Sequence, residues 1–587
     1  MEISGRFCQI HFEERKGIKE MNEYALLHSP DSKYCFATGE RELVIRLRVA
    51  KEDRGISVML IFGNKYEYHE KRMECTMKIA YSDQLYDYYE TKLQLSDVRL
   101  AYIFLLQDGK QSYYYSEDGL TTTYNFNEGF YNFFQMPYIN RNDVHQTVEW
   151  MRNAVFYQIF VDRFYRGNYE KDDTYIDMEW GGKPTPKNFA GGDLRGIIEK
   201  LEYLKDLGIT AIYMTPIFQS KSNHKYDISD YRKVDPQFGS LEDLRELVQK
   251  AHELGMRVVL DAVFNHCSEQ LPEFADVMEK GKESPYYDWF LIDGDYPLPQ
   301  EGNYECFASC AYMPKFNTAS VAVQDYLIDI ATYWIREADI DGWRLDVSDE
   351  VSHEFWRRFR QAVKQEKQDC VIIGENWHDA YPYLMGDQYD SIMNYAFTKA
   401  CLDYFAKGKF SGEDMANQLN HILMRNTEPV NRMMLNLLDS HDTHRFFTEV
   451  GCNKDKLLAA VALNVMFPGA TCIYYGTEIC MEGGYDPDSR RCFDWDKSKW
   501  DMDAWKSMRE LLHFKQTNTL GYGTVFLKGD GSCLYMERKD ETACYRLWIH
   551  LDEEAVEIPD QNEVLLSHGY RNGALAVGYV ITREEYL

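Results

Sequence analysis

Arg344 and Asp346 stand two residues apart in Gly342-Trp343-Arg344-Leu345-Asp346-Val347. In an extended segment residues i and i+2 share a face, so the guanidinium and the carboxylate point the same way. An arginine beside a carboxylate depresses its pKa and keeps it ionised, as a nucleophile requires. Three more short apolar runs end in acids or histidine: Val258-Val259-Leu260-Asp261, Val371-Ile372-Ile373-Gly374-Glu375, and Leu435 to Leu438 followed by Asp439-Ser440-His441-Asp442. Any one of them reads as a buried strand followed by a solvated loop. Four in order, each carrying a carboxylate at its carboxyl end, describe the rim of a (β/α)8 barrel.

The elements that must position these residues alternate strand and helix. Leu194, Ile197, Ile198, Leu201, Leu204 and Leu207 form a helical stripe closed by Gly208 and followed by a strand over 209–214. The arrangement recurs from Leu241 to Leu254, closed by Gly255 and followed by 257–261. In both, glycine falls where a left-handed cap is needed. With strands at 155–160, 342–346, 371–374, about 390–394, 433–438 and 472–475 the count reaches eight, enough to close a TIM barrel over residues 131–510. Some 55 residues rich in Tyr, Pro and Gly follow the third strand, and a loop of that length predicts an inserted subdomain over about 267–320. Residues 1–130 show alternating segments such as Leu43 to Val49, with Asp-Gly turns at 108–109 and 118–119, and read as an N-terminal β-sandwich. Residues 511–587 return to short alternating segments and read as a second β-sandwich domain.

Composition narrows the partners. A net charge of −30 argues against nucleic acid and anionic membrane surfaces, and leaves a neutral ligand as the natural partner. The 44 Tyr and 11 Trp suit stacking on sugar rings, or simply aromatic-rich cores. No apolar run approaches the length of a spanning helix, and residues 1–20 are charged throughout, which excludes a signal peptide from the reading. The 14 cysteines show no framework of paired spacings and read as reduced thiols of a cytoplasmic protein. Cys306 and Cys310 lack a second pair that could complete a zinc site.

Asp261-Ala262-Val263-Phe264-Asn265-His266, Gly342 to Asp346, Gly374-Glu375-Asn376-Trp377 and Ser440-His441-Asp442 resemble the four sequence regions of the α-amylase family, glycoside hydrolase family 13. Met313-Pro314-Lys315-Phe316-Asn317 resembles a fifth region of the neopullulanase, cyclomaltodextrinase and maltogenic amylase group. The N-terminal domain looks like a family 34 carbohydrate-binding module. The resemblance implies Asp346 as nucleophile, Glu375 as general acid/base and Asp442 as the third carboxylate. Glu375, flanked by Trp377 and other acids, is expected to have a raised pKa. His266 and His441 match histidines that bind sugar hydroxyls at the scissile ring. His224 and Tyr226 would serve the same subsite, Tyr226 as the stacking platform, while Asp227 braces the arginine or the loop. Asp486 and Arg490, in Gly483-Gly484-Tyr485-Asp486-Pro487-Asp488-Ser489-Arg490, would hold the next sugar or form an ion pair between loops. Phe307 and Trp377 would line the acceptor side, or Phe307 would pack beneath the long loop.

The implied function is a retaining hydrolase of α-1,4 glucosidic bonds in maltooligosaccharides and cyclodextrins, with α-1,6 bonds and pullulan in its wider range and some transglycosylation. A transfer-dominated glucanotransferase, an exo-acting α-glucosidase and an inactive glucan-binding scaffold are the alternatives. The resemblance also implies a homodimer. Calcium sites of the family use the Asn of the first region and a His that is Glu350 here, and an Asn/Asp-rich loop that is Arg166 to Asp172 here. A cation among oxygen ligands disfavours a hard divalent ion, so no metal and no cofactor are expected.

Overall fold

A computed structural model describes residues 21–586 except 54, 110, 519, 560 and 561, so the reading of residues 1–20 lies outside the described residues. The chain parts into two compact units, the first ending at Tyr138 and the second made of Ile139 onward together with Phe36–Glu40.

The first unit holds two antiparallel sheets. One has the order Glu42–Ala50, Tyr86–Gln94, Lys78–Ser82; the other runs Met73–Thr76, Ser57–Gly63, Leu100–Asp108, Gln111–Ser116, Gly119–Thr121. Phe134–Met136 pairs with Leu100–Tyr102, so the sheet continues past residue 130, where the sequence pattern was expected to end it. The alternation along Leu43–Val49 does not leave a wet face. Val44 and Arg46 are as buried as Leu43 and Leu47, and Arg46 is satisfied there: its N–H donates to Tyr34 O at 2.7 Å and its Nε to Glu90 Oε2 at 2.7 Å.

The second unit is the barrel. Its strands are β1 (Val155–Ile159), β2 (Ala211–Met214), β3 (Arg257–Ala262), β4 (Gly342–Leu345), β5 (Val371–Gly374), β6 (Ser391–Ile392), β7 (Leu435–Leu437) and β8 (Ala470–Tyr474). All pair in parallel in the order β6-β5-β4-β3-β2-β1-β8-β7, and a parallel bridge from Met393 to Leu435 closes the ring. These strands are buried on both faces, as strands enclosed by helices must be, which is why they read as short continuous apolar runs. Phe156, Ala211, Val259, Val371, Leu435 and Cys472 share the core inside. Gly342 begins β4 because a Cβ there would lie 2.5 Å from Val371 Cγ1.

The helix Leu241–Glu253 starts on a Ser240/Asp243 capping box and stops before Gly255, as its sequence signals require. The stripe over 194–207 is divided into Leu194–Glu199 and Leu201–Leu207, with the break at Lys200. Its ammonium lies over the rings of Tyr165 and Trp495, 3.7 and 4.4 Å from their centroids. After β3 comes the inserted subdomain, which carries the helix Pro272–Lys280 and several isolated bridges, among them Cys306 to Pro314 and His266 to Lys315.

Helix Met502–Thr517 runs through residue 510, packs on the barrel helix Lys454–Met466 and belongs with it. The last sheet therefore starts later than the pattern suggested, at Thr524. All six of its strands join one hydrogen-bonded antiparallel sheet, which rests on the helices Gly412–Leu423 and Lys454–Met466. Among the described residues no helix is long and apolar enough to cross a membrane.

Candidate active site

The carboxyl ends of β3, β4 and β5 bring Asp261, Asp346 and Glu375 to one buried arginine, and Asp442, after β7, lies beside His441. Parallel register sets Asp261 opposite Arg344 and Leu345 opposite Gly374, so side chains far apart in sequence project from adjacent strand ends. Arg344 Nη1 donates to Asp261 Oδ1 and Oδ2 at 3.1 and 3.0 Å and to Asp346 Oδ1 at 2.8 Å. Its Nη2 lies 2.9 Å from Glu375 Oε2, but the N–H does not point at that oxygen, so the contact is ionic and not a directed hydrogen bond. Glu375 is oriented by others: Val347 N donates to Oε2 at 3.0 Å and Trp377 Nε1 to Oε1 at 3.3 Å. Val347 holds a left-handed backbone (φ 45°, ψ 45°), unusual for a β-branched residue and a site of local strain. That turn is what aims its N–H at Glu375.

One guanidinium cannot neutralise three buried carboxyls. Burial pushes the Asp346 carboxyl well up, and Glu375, Asp261 and Asp442 add to the rise against the pull of Arg344. Burial likewise pushes Asp261 up to about 6, although Arg344 and Tyr213 pull it down. The expectation that Arg344 alone would hold Asp346 low is thus overturned: its charge is shared, and burial outweighs it. Asp346 and Asp261 are therefore both held above the ordinary aspartate range.

His441 is fixed by a donor chain. Gln158 Nε2 meets Nδ1 at 2.7 Å and Tyr226 OH meets Nε2 at 2.7 Å, while Tyr226 OH donates to Asp261 Oδ2 at 3.0 Å. This assigns the imidazole proton to Nε2, and burial keeps the ring neutral by lowering its pKa well below 6.5. Asp442 Oδ2 lies 3.1 Å from the same Nε2. Arg490 Nη2 donates to Asp442 Oδ1 at 3.3 Å and its Nη1 lies 3.1 Å from Asp486 Oδ1. Asp486 and Arg490 therefore pair with each other, and Arg490 also reaches Asp442. Asp442 keeps about a third of its side chain exposed, at 31%.

His266 is buried against Phe307, ring centroids 4.8 Å apart; its Nδ1 meets Asn265 Nδ2 at 3.3 Å, while Nε2 lies 4.0 Å from Asp346 Oδ2 and has no hydrogen-bond partner among the described residues. Burial, with the charge of Lys315, lowers it to about 3, so it is a neutral donor or acceptor facing the cluster. His224 stacks on Tyr226 and burial lowers it to about 4. Asp227 accepts from Ser220 and Ser222 and braces its own loop, not the arginine. Trp377 lies on Tyr395, centroids 3.6 Å apart and planes 4° off parallel, and leaves 45% of its surface open. Every residue singled out from the sequence thus lies in this cluster or against it. Gln158, Tyr213, Asp261, Val347 and Tyr395 join them without having been singled out, although Asp261 closes one of the four strand runs.

Lysines fill the positions weighed for cations. Lys315 Nζ donates to Asn265 Oδ1, to Glu350 O at 3.0 Å and to Glu350 Oε2 at 3.2 Å. Lys171 Nζ donates to Gly191 O and Gln237 O at 2.8 Å each and lies 2.9 Å from Asp193 Oδ2.

Residues 158–520 match the α-amylase catalytic-domain family and residues 21–140 the α-amylase N-terminal ig-like domain family. A cyclomaltodextrinase from Thermoanaerobacter pseudethanolicus is 43% identical over 508 residues, covering 86% of this chain and 88% of the relative. An intracellular maltogenic amylase from Bacillus subtilis is 43% identical over 508 residues, 85% of each chain. Among solved structures, a cyclomaltodextrinase superposes with a TM-score of 0.88 at 36% identity, covering 96% of this chain and 98% of that one.

Proposed function

Because this chain belongs to the α-amylase family, we propose that it hydrolyses α-1,4 bonds of maltooligosaccharides and cyclodextrins with retention of configuration. Its wider range takes in pullulan, and some transfer to sugar acceptors accompanies hydrolysis. The observation that carries this reading is the sharing of one guanidinium by two carboxyls from adjacent strands, Asp346 on Nη1 and Glu375 beside Nη2. Two carboxyls bridged in this way suit the separation of about 5–5.5 Å that a double displacement needs, not the wider gap that admits a water.

In the proposed cycle Asp346 attacks the anomeric carbon while Glu375, protonated, delivers its proton to the leaving oxygen. Glu375 then takes a proton from water as that water releases the sugar from Asp346. Asp442, tethered by Arg490, receives sugar hydroxyls and favours the flattened ring of the transition state. His441 and His266, both neutral, bind hydroxyls of the same ring. Tyr226 carries its face, with His224 behind it, and Asp486 and Arg490 take the neighbouring sugar. Phe307 and Trp377 border the acceptor side, where an apolar wall favours a sugar hydroxyl over water. No step draws on a metal or cofactor. Products of maltotriose and β-cyclodextrin, followed over time by chromatography and NMR, test the reading. Glucose and maltose released as α-anomers are expected; β-anomers, or longer oligosaccharides dominating from the start, would sink it.

The protein is also proposed to be cytoplasmic and a homodimer. The intracellular relative and the unpaired state of every described cysteine support the first. The solvent-facing rings of Tyr24, Phe130 and Tyr131, 63–90% exposed on the N-terminal unit, support the second.

A further inference from the structure

A cleft of about 750 Å3 opens between the chain after β1, from Tyr165 to Trp180, and residues 494–496 after β8. None of the residues assigned above to catalysis or sugar binding lines it. Its aromatic walls are fixed before any ligand arrives. Trp180 Nε1 donates to Phe493 O at 3.0 Å and Trp495 Nε1 to Phe164 O at 2.7 Å, which pins both indoles by their polar edges. Trp180 nevertheless keeps 37% of its surface open and Tyr169 keeps 68%. Asp177 and Glu179 on one side and Asp494 on the other supply carboxylate acceptors. Arg166 also lines the cleft, its Nη2 donating to Asp173 Oδ2 at 3.1 Å.

Rings held open beside hydroxyl acceptors are complementary to a pyranose, which has apolar C–H faces and a girdle of hydroxyls. The carboxylates exclude an anion. A cationic ligand fits poorly because the rings already carry the protein's own cations, Lys200 over Tyr165 and Trp495 and Arg166 over Tyr169, 4.9 Å from its centroid. We infer that this cleft is a second α-glucan site, outside the catalytic centre, which binds a maltooligosaccharide or the distal part of a longer chain. The inference rests on the α-glucan hydrolase reading.

The test uses the full chain. Calorimetric titration of the Asp346→Asn protein with maltoheptaose is expected to show two classes of site, one of which disappears when Trp180→Ala is added. With Asp346 intact, Trp180→Ala should leave kcat/KM for maltotriose within about twofold and lower it on long amylose by about fivefold or more. Tyr169→Ala, a change at an exposed ring, should act in the same direction and keeps the test open should Trp180→Ala not fold. A single class of site, a class insensitive to both substitutions, equal losses on short and long substrates, or tetramethylammonium binding in place of the glucan would each overturn the inference. Should the wild-type protein leave maltotriose intact, the functional reading fails while the maltoheptaose titration still decides the cleft.

Discussion

Replacing Asp346 by Asn or Glu375 by Gln changes one atom in a cluster that keeps its arginine and its remaining acids. Arg344 stays bonded to Asp261 in either variant, so the fold is expected to survive. Turnover should fall by about 10^4-fold or more, since neither amide can act as nucleophile or proton donor. Initial rates on maltotriose beside circular dichroism check both halves, and near-normal rates would remove the mechanism. The cluster's pH behaviour follows from its crowding. Asp346 attacks only when ionised, and burial with its acid neighbours pushes its carboxyl up, so protonation disables it at a higher pH than an ordinary aspartate. The acid limb of kcat/KM should therefore lie well above the usual aspartate value. Asp442→Asn, which removes one of the raising charges, should shift the limb of its residual activity to lower pH. A limb near pH 4 in the wild type would contradict the burial argument. Much of this site was legible in the sequence, because strand ends concentrate the acids and Arg344 sits at i−2 from Asp346. The direction of the Asp346 shift was not. It depends on Asp261 and Glu375 sharing the same guanidinium, and no spacing along one strand reveals that. Gln158 and Tyr213 were equally hidden, each being a single polar residue within an apolar strand, the pattern of an ordinary core position.

At the level of loops and helices, three ammonium groups, that of Lys225 buried and those of Lys171 and Lys315 partly so, tie the segments around the barrel mouth. Lys171 joins the loop after β1 to Gly191, Asp193 and Gln237. Lys225 Nζ meets Ser220 O at 3.0 Å and Asp235 Oδ2 at 2.9 Å and also reaches Gln237, while Lys315 bridges Asn265 to Glu350. Backbone and carboxylate oxygens around a fixed cation are the donor set a hard divalent ion would use, and here the cation is covalently part of the chain. Exhaustive chelation should leave the thermal midpoint and activity unchanged, whereas Lys171→Met leaves the buried Asp193 carboxylate with its backbone N–H donors but no counter-charge and should cost about 3 kcal/mol. Thermal unfolding with and without chelator checks both, and a large loss on chelation would show that metal still matters. Lys171 stood out in the sequence as a cation where oxygen ligands were sought. Lys225 and Lys315 did not, because their partners come from other loops. A second element-level prediction concerns how the last sheet meets the barrel helices. Gly412, which opens the helix Gly412–Leu423, would place a Cβ 1.8 Å from Cys533 O, and its N–H donates to Gly531 O at 2.6 Å. Gly412→Ala must push helix and sheet apart and should destabilise by about 1–3 kcal/mol. An unchanged midpoint would mean that this contact gives way freely.

Over the whole molecule, charge and exposed rings pull in opposite directions. Each copy carries −30, so two copies repel, and the repulsion weakens as salt screens it. The rings of Tyr24, Phe130 and Tyr131 on the N-terminal unit offer the apolar surface that association would bury. If these rings make the homodimer, its dissociation constant should fall as salt rises from about 0.05 to 0.5 M, opposite to an interface built on ion pairs. Phe130→Ser with Tyr131→Ser should give a monomer without touching the barrel. The two units hold separate cores, that of the first around Ile61, Ala101 and Ile103 and that of the second inside the barrel strands. A chain beginning at Ile139 should therefore keep the barrel's circular dichroism and some hydrolysis of maltotriose, yet run as a monomer. Should the proposed dimer restrict access to the cleavage site, the truncated chain will also lose selectivity and raise its rate on soluble starch relative to β-cyclodextrin. Light scattering at two salt concentrations, on the full chain, the double serine variant and the truncated chain, separates the possibilities. A full-length monomer at every salt ends the dimer proposal, and a truncated chain that still dimerises moves the interface onto the barrel unit.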